Sequence, residues 1–184
     1  MMVAATVEPE RFIFVDECGT HTSLATIYGY APRSERLRLS VPRRRGKNTT
    51  LLSSMTLSGM GPSLAVEGAS TALVLKANVE RVLTPSLRPG QVVVMDNLGA
   101  HRPKRVRELI EGRGCELVYL PAYSPDYNPI EEAFAKAKNL LRTASARTKE
   151  ALIEAIGAAL CAISAQDARG FFERAGYHRA AQLL

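Results

Sequence analysis

Three acidic residues define the chemistry open to this sequence. Asp16 closes the apolar run RFIFVDE, Asp96 closes QVVVMDN, and Glu131 lies in LPAYSPDYNPIEEAF. The first two runs are too apolar for a surface edge, and an unpaired carboxylate there costs desolvation energy. Carboxylates drawn together repel one another, so three gathered from separate segments point to a bound divalent cation with oxygen ligands. Two such ions about 4 Å apart would activate a nucleophile and steady a leaving oxygen, which is the chemistry of phosphoryl transfer.

Each acid also has a plainer role open to it. Asp16 could initiate a turn with its side chain already in solvent, and Asp96 could start an Asx-type turn. Glu131 falls three residues after Asn128, a good N-cap, with Pro129 suited to the first helical position. That is the spacing of a capping box. Helical phase adds something to Glu131. Ile130, Phe134, Ala137 and Leu141 form the expected buried stripe, and Glu132 and Lys136 are an i,i+4 pair on a solvated face. Glu131, Lys138 and Arg142 fall on a third face, where an acid below two bases suits a metal ligand facing a phosphate backbone.

The elements that must position these residues follow from the apolar pattern. Residues 11 to 17 read as a strand buried on both faces. LATIYGYAP, RLRLSVP and TTLLSSMTLSG read as a meander of further strands, with SLAVEG as a short addition. A helix is expected over about 70 to 84. Strand 91 to 95, helix 102 to 112 and strand 115 to 120 give a βαβ rhythm, which implies parallel pairing with right-handed crossovers. A helix from Pro129 to about Arg142 follows, and the rest of the chain reads as helical. The expectation is an α/β protein whose mixed sheet is antiparallel in its first half and parallel in its second, flanked by helices. The first strand and the QVVVM strand can lie side by side.

A length of 184 residues suits one domain with a substantial core. Hydrophobic residues at 46% and charged residues at 23% are ordinary globular values. No apolar run approaches the roughly 20 residues of a membrane span, and the N-terminus does not read as a signal peptide. The 3 cysteines are scattered without a CxxC pair, which favours a reduced cytosolic chain over a disulfide scaffold or zinc site. The net charge of +6 is compatible with a polyanionic partner. Much of it sits in Arg43, Arg44, Arg45 and Lys47, in 102 to 107, and in Lys136, Lys138 and Arg142.

FVDE, VVVMDNLGAH and LPAYSPDYNPIEEAF, in that order, resemble the catalytic domain of bacterial insertion-sequence transposases related to the mariner group. These belong to the DDE superfamily and share a ribonuclease H-like fold with retroviral integrases. The 34 residues between positions 96 and 131 are the spacing of that group. The resemblance runs from about residue 11 to Tyr177 and includes IYGYAPRSER, LRPGQVVVMDN and FFERAGY. It implies a ribonuclease H-like five-stranded sheet with C-terminal helices. It further implies one catalytic domain over 1 to 184, with a core at about 10 to 143 and a helical extension over 144 to 184.

The resemblance makes Asp16, Asp96 and Glu131 the catalytic triad, holding two Mg²⁺ or Mn²⁺ ions. The implied reaction is hydrolysis at transposon ends, followed by 3′-hydroxyl attack on target DNA, typically at a TA dinucleotide, without a covalent enzyme intermediate. His101 aligns with a histidine near the scissile phosphate, and capping of the next helix is its other role. Arg43, Arg44, Arg45 and Lys47 would track DNA phosphates or form a solvated loop. Tyr123 and Tyr127 would stack on an unpaired base or pack on the turn prolines. A homodimer on DNA follows from synapsis of two ends, in the bacterial cytoplasm on the nucleoid, with no membrane partner. Only about ten residues precede the first strand, so the family's helix-turn-helix portion is not expected here. A silent DNA-binding or dimerisation remnant, and another ribonuclease H-like nuclease, stay open as alternatives.

Overall fold

A computed structural model describes residues 7–41, 46–97, 104–122 and 124–178. Its centre is a five-stranded mixed sheet: β1 (Phe12–Thr20), β2 (Thr49–Thr56), β3 (Gly59–Glu67), β4 (Val92–Met95) and β5 (Glu116–Tyr119), in the order β3-β2-β1-β4-β5. β3, β2 and β1 pair antiparallel, and β1, β4 and β5 pair parallel. The antiparallel first half and parallel second half expected from the sequence are both present, and β1 lies beside β4.

Alternation along the strands divides the core in two. Phe12, Phe14 and Cys18 of β1 and Val92 and Val94 of β4 face α3 (Pro129–Ala144), α4 (Lys149–Cys161) and α5 (Ala165–Arg174). Ile13 and Val15 of β1 and Val93 and Met95 of β4 face α1 (Ala72–Asn78) and α2 (Lys104–Glu111). The result is a helix–sheet–helix sandwich. α1 runs on through a π-helical turn, Val79–Leu83, whose Val79 and Leu83 are buried. Leu152, Ile156, Phe171 and Phe172 belong to the same core cluster as Phe14 and Phe134, so α4 and α5 pack into the core that α3 and the sheet share. No single helix among the described residues is long and apolar enough to cross a membrane.

The meander differs from its sequence reading. LATIYGYAP and RLRLSVP, within their described part, contain no strand, and Ile27, Tyr28, Tyr30, Leu37 and Leu39 are exposed. TTLLSSMTLSG is split instead. Leu57 and Ser58 form the turn of a hairpin, Gly59 pairs with Thr56, and SLAVE belongs to the second arm. Gly59 takes φ +117°, a region open to glycine, and a Cβ there would stand 3.2 Å from the Ile163 carbonyl oxygen.

Candidate active site

Register brings the two aspartates together. β1 and β4 pair in parallel from Phe12↔Val92 to Val15↔Met95, so Asp16 and Asp96 each follow the last position of the ladder these two strands share. Both fall in the alternation of Phe12, Phe14 and of Val92, Val94, on the face that carries α3. β5 ends at the same level, with the Leu120 amide donating to the Met95 carbonyl at 2.9 Å. Carboxyl ends of parallel strands are where α/β sheets assemble their sites.

The third acid arrives from α3. Leu120, Pro121 and a 3₁₀ turn at Pro125–Tyr127 lead into this helix. Ile130, Ala133, Phe134, Ala137 and Leu141 form its buried stripe, and Glu131 is exposed beside it. Asp16, Asp96 and Glu131 thus line one cavity of about 300 Å³, together with Asn97, Ser124, Asn128 and the apolar edge formed by Leu120 and the prolines. Asp16 is buried at 7% exposure. Its Oδ1 accepts from the Glu17 amide at 2.7 Å and its Oδ2 from the Asn128 side-chain amide at 2.8 Å.

Two sequence readings change here. Asn128 precedes α3 at the N-cap position, but its side chain makes no capping hydrogen bond and turns to Asp16 instead. Glu132 and Lys136 do not pair along the helix. Arg174 Nε donates to both carboxylate oxygens of Glu132, at 3.0 and 2.8 Å, and Lys136 bonds Asp167 at 2.6 Å. Both residues therefore tie α3 to α5, which leaves Glu131 the acid of this pair that faces the cavity with Asp16 and Asp96.

Cys18, counted in the sequence only as one of the scattered cysteines, stands beside the site. It lies two positions beyond Asp16 on the same face of β1. Burial pushes its thiol up, the Lys138 ammonium pulls it down through charge and a hydrogen bond, and the carboxylates of Glu131 and Asp16 add to the rise. These interactions gather Lys138, Glu131, Asp16 and Cys18 in one neighbourhood. The i,i+2 spacing on a strand is the signal that could have found Cys18. Nothing local distinguishes Asn128 from an ordinary cap.

The other candidate residues are placed as follows. Lys47 pairs with Glu67 at 2.9 Å, and Arg142 donates to Asn139 at 2.7 Å. Tyr127 is partly exposed and its carbonyl accepts from Tyr177. His101, Arg43, Arg44, Arg45 and Tyr123 lie outside the described residues.

The donor set fits a hard divalent cation in kind: three carboxylates from three elements around one cavity, one of them buried and fixed through both oxygens. Among the described residues, no three His, Cys, Asp or Glu side chains converge tightly enough to share an ion as they stand. Asp96 and Glu131 are the more open of the three.

Comparison with known proteins agrees with this architecture. The chain belongs to the DDE superfamily endonuclease family, whose model matches residues 11–153. Among solved structures it is similar to the Mos1 strand transfer complex, at 21% identity and TM-score 0.68 over 91% of this chain and 52% of that one. It is also similar to the mariner Mos1 paired-end complex with Mg, at 20% identity and TM-score 0.66 over 90% of this chain and 53% of that one. The catalytic domain of Mos1 mariner transposase matches at 18% identity and TM-score 0.60, over 91% of this chain and 78% of that domain. A further Mos1 paired-end complex was solved with Mn. The chain spans about half the length of the transposase chains in those complexes, and what it shares with them is the ribonuclease H-like fold. No protein of curated function matches the sequence.

Proposed function

We propose that this chain is the catalytic domain of a DNA transposase. It would cleave phosphodiester bonds at transposon ends and transfer the freed 3′-hydroxyl to target DNA. The observation that carries this reading is the gathering of Asp16, Asp96 and Glu131 around one cavity where the β1–β4 ladder ends, in a chain of the DDE superfamily endonuclease family. Mg²⁺ or Mn²⁺, two ions in the full reading, would supply Lewis-acid activation of a water or 3′-hydroxyl and neutralise charge building on the phosphate.

The chain's own residues divide that work. Asp16, held through both oxygens, is the fixed ligand, and Asp96 and Glu131 complete the set. Three carboxylates left unneutralised would repel a phosphodiester, so this face accepts DNA only when the acids are charge-compensated. Lys138 and Arg142, on the helix that carries Glu131, would steady the phosphate backbone beside the cleaved bond. Lys47 with Arg43, Arg44 and Arg45 would extend that track, and His101 would stand near the scissile phosphate. No side chain needs to act as a covalent nucleophile. The likeness to the Mos1 strand transfer complex and to the Mos1 paired-end complex with the left transposon end supports DNA as the partner, and a homodimer on two ends, insertion at TA and action on the bacterial nucleoid belong to the same proposal.

Nicking of supercoiled plasmid with Mn²⁺, comparing wild type with Asp96→Asn, tests the reading. Metal-dependent nicking that is lost in the variant is the expected result. Equal nicking by both proteins would remove Asp96 from the site.

One observation favours a second reading, a DNA-binding or dimerisation remnant that no longer cuts. The three acids do not converge on a point as they stand. DNA binding with no nicking under any metal condition would select it.

A further inference from the structure

We infer that Asn128 is a positioning residue for Asp16, setting the carboxylate through which this site holds a divalent cation. The inference rests on the proposed function for its metal and goes beyond it in naming a residue outside the acidic triad. Asn128 is 6% exposed and Asp16 is 7% exposed, and their side chains meet across 112 positions of sequence at 2.8 Å. A carboxylate is acceptor-only, so the amide nitrogen of Asn128 must face it.

The other carboxylate oxygen takes the Glu17 backbone amide, a bond that belongs to β1 itself. Asn128 therefore holds the carboxylate's second oxygen, and it does so from the position just before α3. One amide thus ties the Asp16 ligand to the helix that delivers Glu131, and the relative placement of two candidate ligands depends on it. Asn128 gives up its own capping role to make this bond. Its backbone is held in turn, since the Asn128 amide donates to the Pro125 carbonyl at 2.8 Å. Outer residues that orient metal ligands typically change metal affinity by roughly 10- to 100-fold when replaced.

A capping role and a positioning role separate by substitution. Serine is as good an N-cap as asparagine, yet its hydroxyl is too short to reach Asp16. Titration of the DNA-free protein with Mn²⁺, following free Mn²⁺ by electron paramagnetic resonance, reads the effect without activity. Asn128→Ser and Asn128→Ala should each weaken Mn²⁺ binding by roughly 10- to 100-fold. Nicking should then fall at a fixed subsaturating Mn²⁺ concentration, and excess Mn²⁺ should restore it. Wild-type Mn²⁺ affinity in folded Asn128→Ser overturns the inference. So does wild-type affinity in Asn128→Ala, should serine alone fail to fold.

The parallel Asp96→Asn assay separates the two levels. An inactive Asp96→Asn beside Asn128 variants of wild-type affinity removes only Asn128. An Asp96→Asn that nicks like wild type removes the catalytic reading. A wild-type protein with no measurable Mn²⁺ affinity removes both.

Discussion

The Tyr177 hydroxyl donates to the Tyr127 carbonyl at 2.9 Å. A residue just beyond α5 thereby holds the turn that carries the chain into α3. Its ring packs edge-on against Phe12 and Phe14, at 5.1 and 4.9 Å between centroids, so the anchor is itself seated on β1. Tyr177→Phe keeps the ring and removes the bond. Loss of about 1 kcal/mol of stability is expected in urea unfolding, the net worth of one intramolecular hydrogen bond. A variant as stable as wild type would show that the turn holds itself.

The same phenol makes stability depend on pH in the alkaline range. Burial, with the Tyr127 phenol adding to it, pushes Tyr177 up from 10.0 to about 12. A raised pKa in the folded state means that the native protein keeps a proton that the unfolded chain has released. The stabilisation is whole below pH 10 and is lost as pH rises toward 12. The difference in melting temperature between wild type and Tyr177→Phe should therefore shrink over that interval. A constant difference would contradict it.

Acid acts through a different contact. Hydrogen bonds and charge from Lys149 and Lys47 lower Glu67 from 4.5 to about 2. These contacts join the end of β3 to the start of α4 and to the approach to β2. A depressed carboxylate stabilises above its unfolded pKa, so this contribution is present above pH 4.5 and is lost as pH falls toward 2. Glu67→Gln should flatten that part of the stability curve, and added salt should mimic the substitution because the group is exposed. Parallel acid curves for the two proteins would argue against it.

What was legible in the sequence was what strands do when buried on both faces. RFIFVD, QVVVMD and CELVYL announced β1, β4 and β5, and parallel pairing then put Asp16 and Asp96 in matched register. Strand propensity misled between residues 24 and 41, because alternation alone makes no strand where the chain neither pairs nor buries its apolar side chains. β2 pairs with β1 and with its own hairpin partner β3, and Ile27, Tyr28 and Leu39 are exposed. α3 was legible in its buried stripe but not in its polar partners. Glu132 and Lys136 have the spacing of an intrahelical pair, and Asn128 has the place of a cap. Each bonds instead to a group more than thirty positions away, which no local pattern can announce.

Adjacent glutamates on α3 should behave oppositely. Glu131 faces the cavity with Asp16, and Glu132 is held by Arg174. Glu131→Gln should reduce Mn²⁺-dependent nicking by more than the roughly 10- to 100-fold typical of residues that only orient a ligand. Glu132→Gln should leave nicking within a few-fold of wild type and cost under about 1 kcal/mol, the range of an exposed ion pair. Equal loss in both variants would mean that docking of α5, and not ligation, governs the site.

Lys138 and Arg142 offer a test of DNA engagement that does not depend on cleavage. Both lie on the helix of Glu131, at positions 7 and 11 residues beyond it. Lys138 reaches the neighbourhood of Cys18, Asp16 and Glu131, while Arg142 is bonded to Asn139. If both meet phosphates, Lys138→Gln and Arg142→Gln should each weaken binding to any DNA sequence. Each should also lower the slope of log affinity against log salt by about 0.9, the counterions released by one contact. Lys138 carries a second consequence, because its ammonium also offsets the carboxylates around the cavity. Lys138→Gln should strengthen Mn²⁺ binding to the DNA-free protein, since removing a cation favours another cation at the same acids. Arg142→Gln, eleven residues from Glu131, should leave Mn²⁺ affinity unchanged. A salt slope unaltered in both variants would take α3 out of the DNA path and leave Lys138 with its electrostatic role alone.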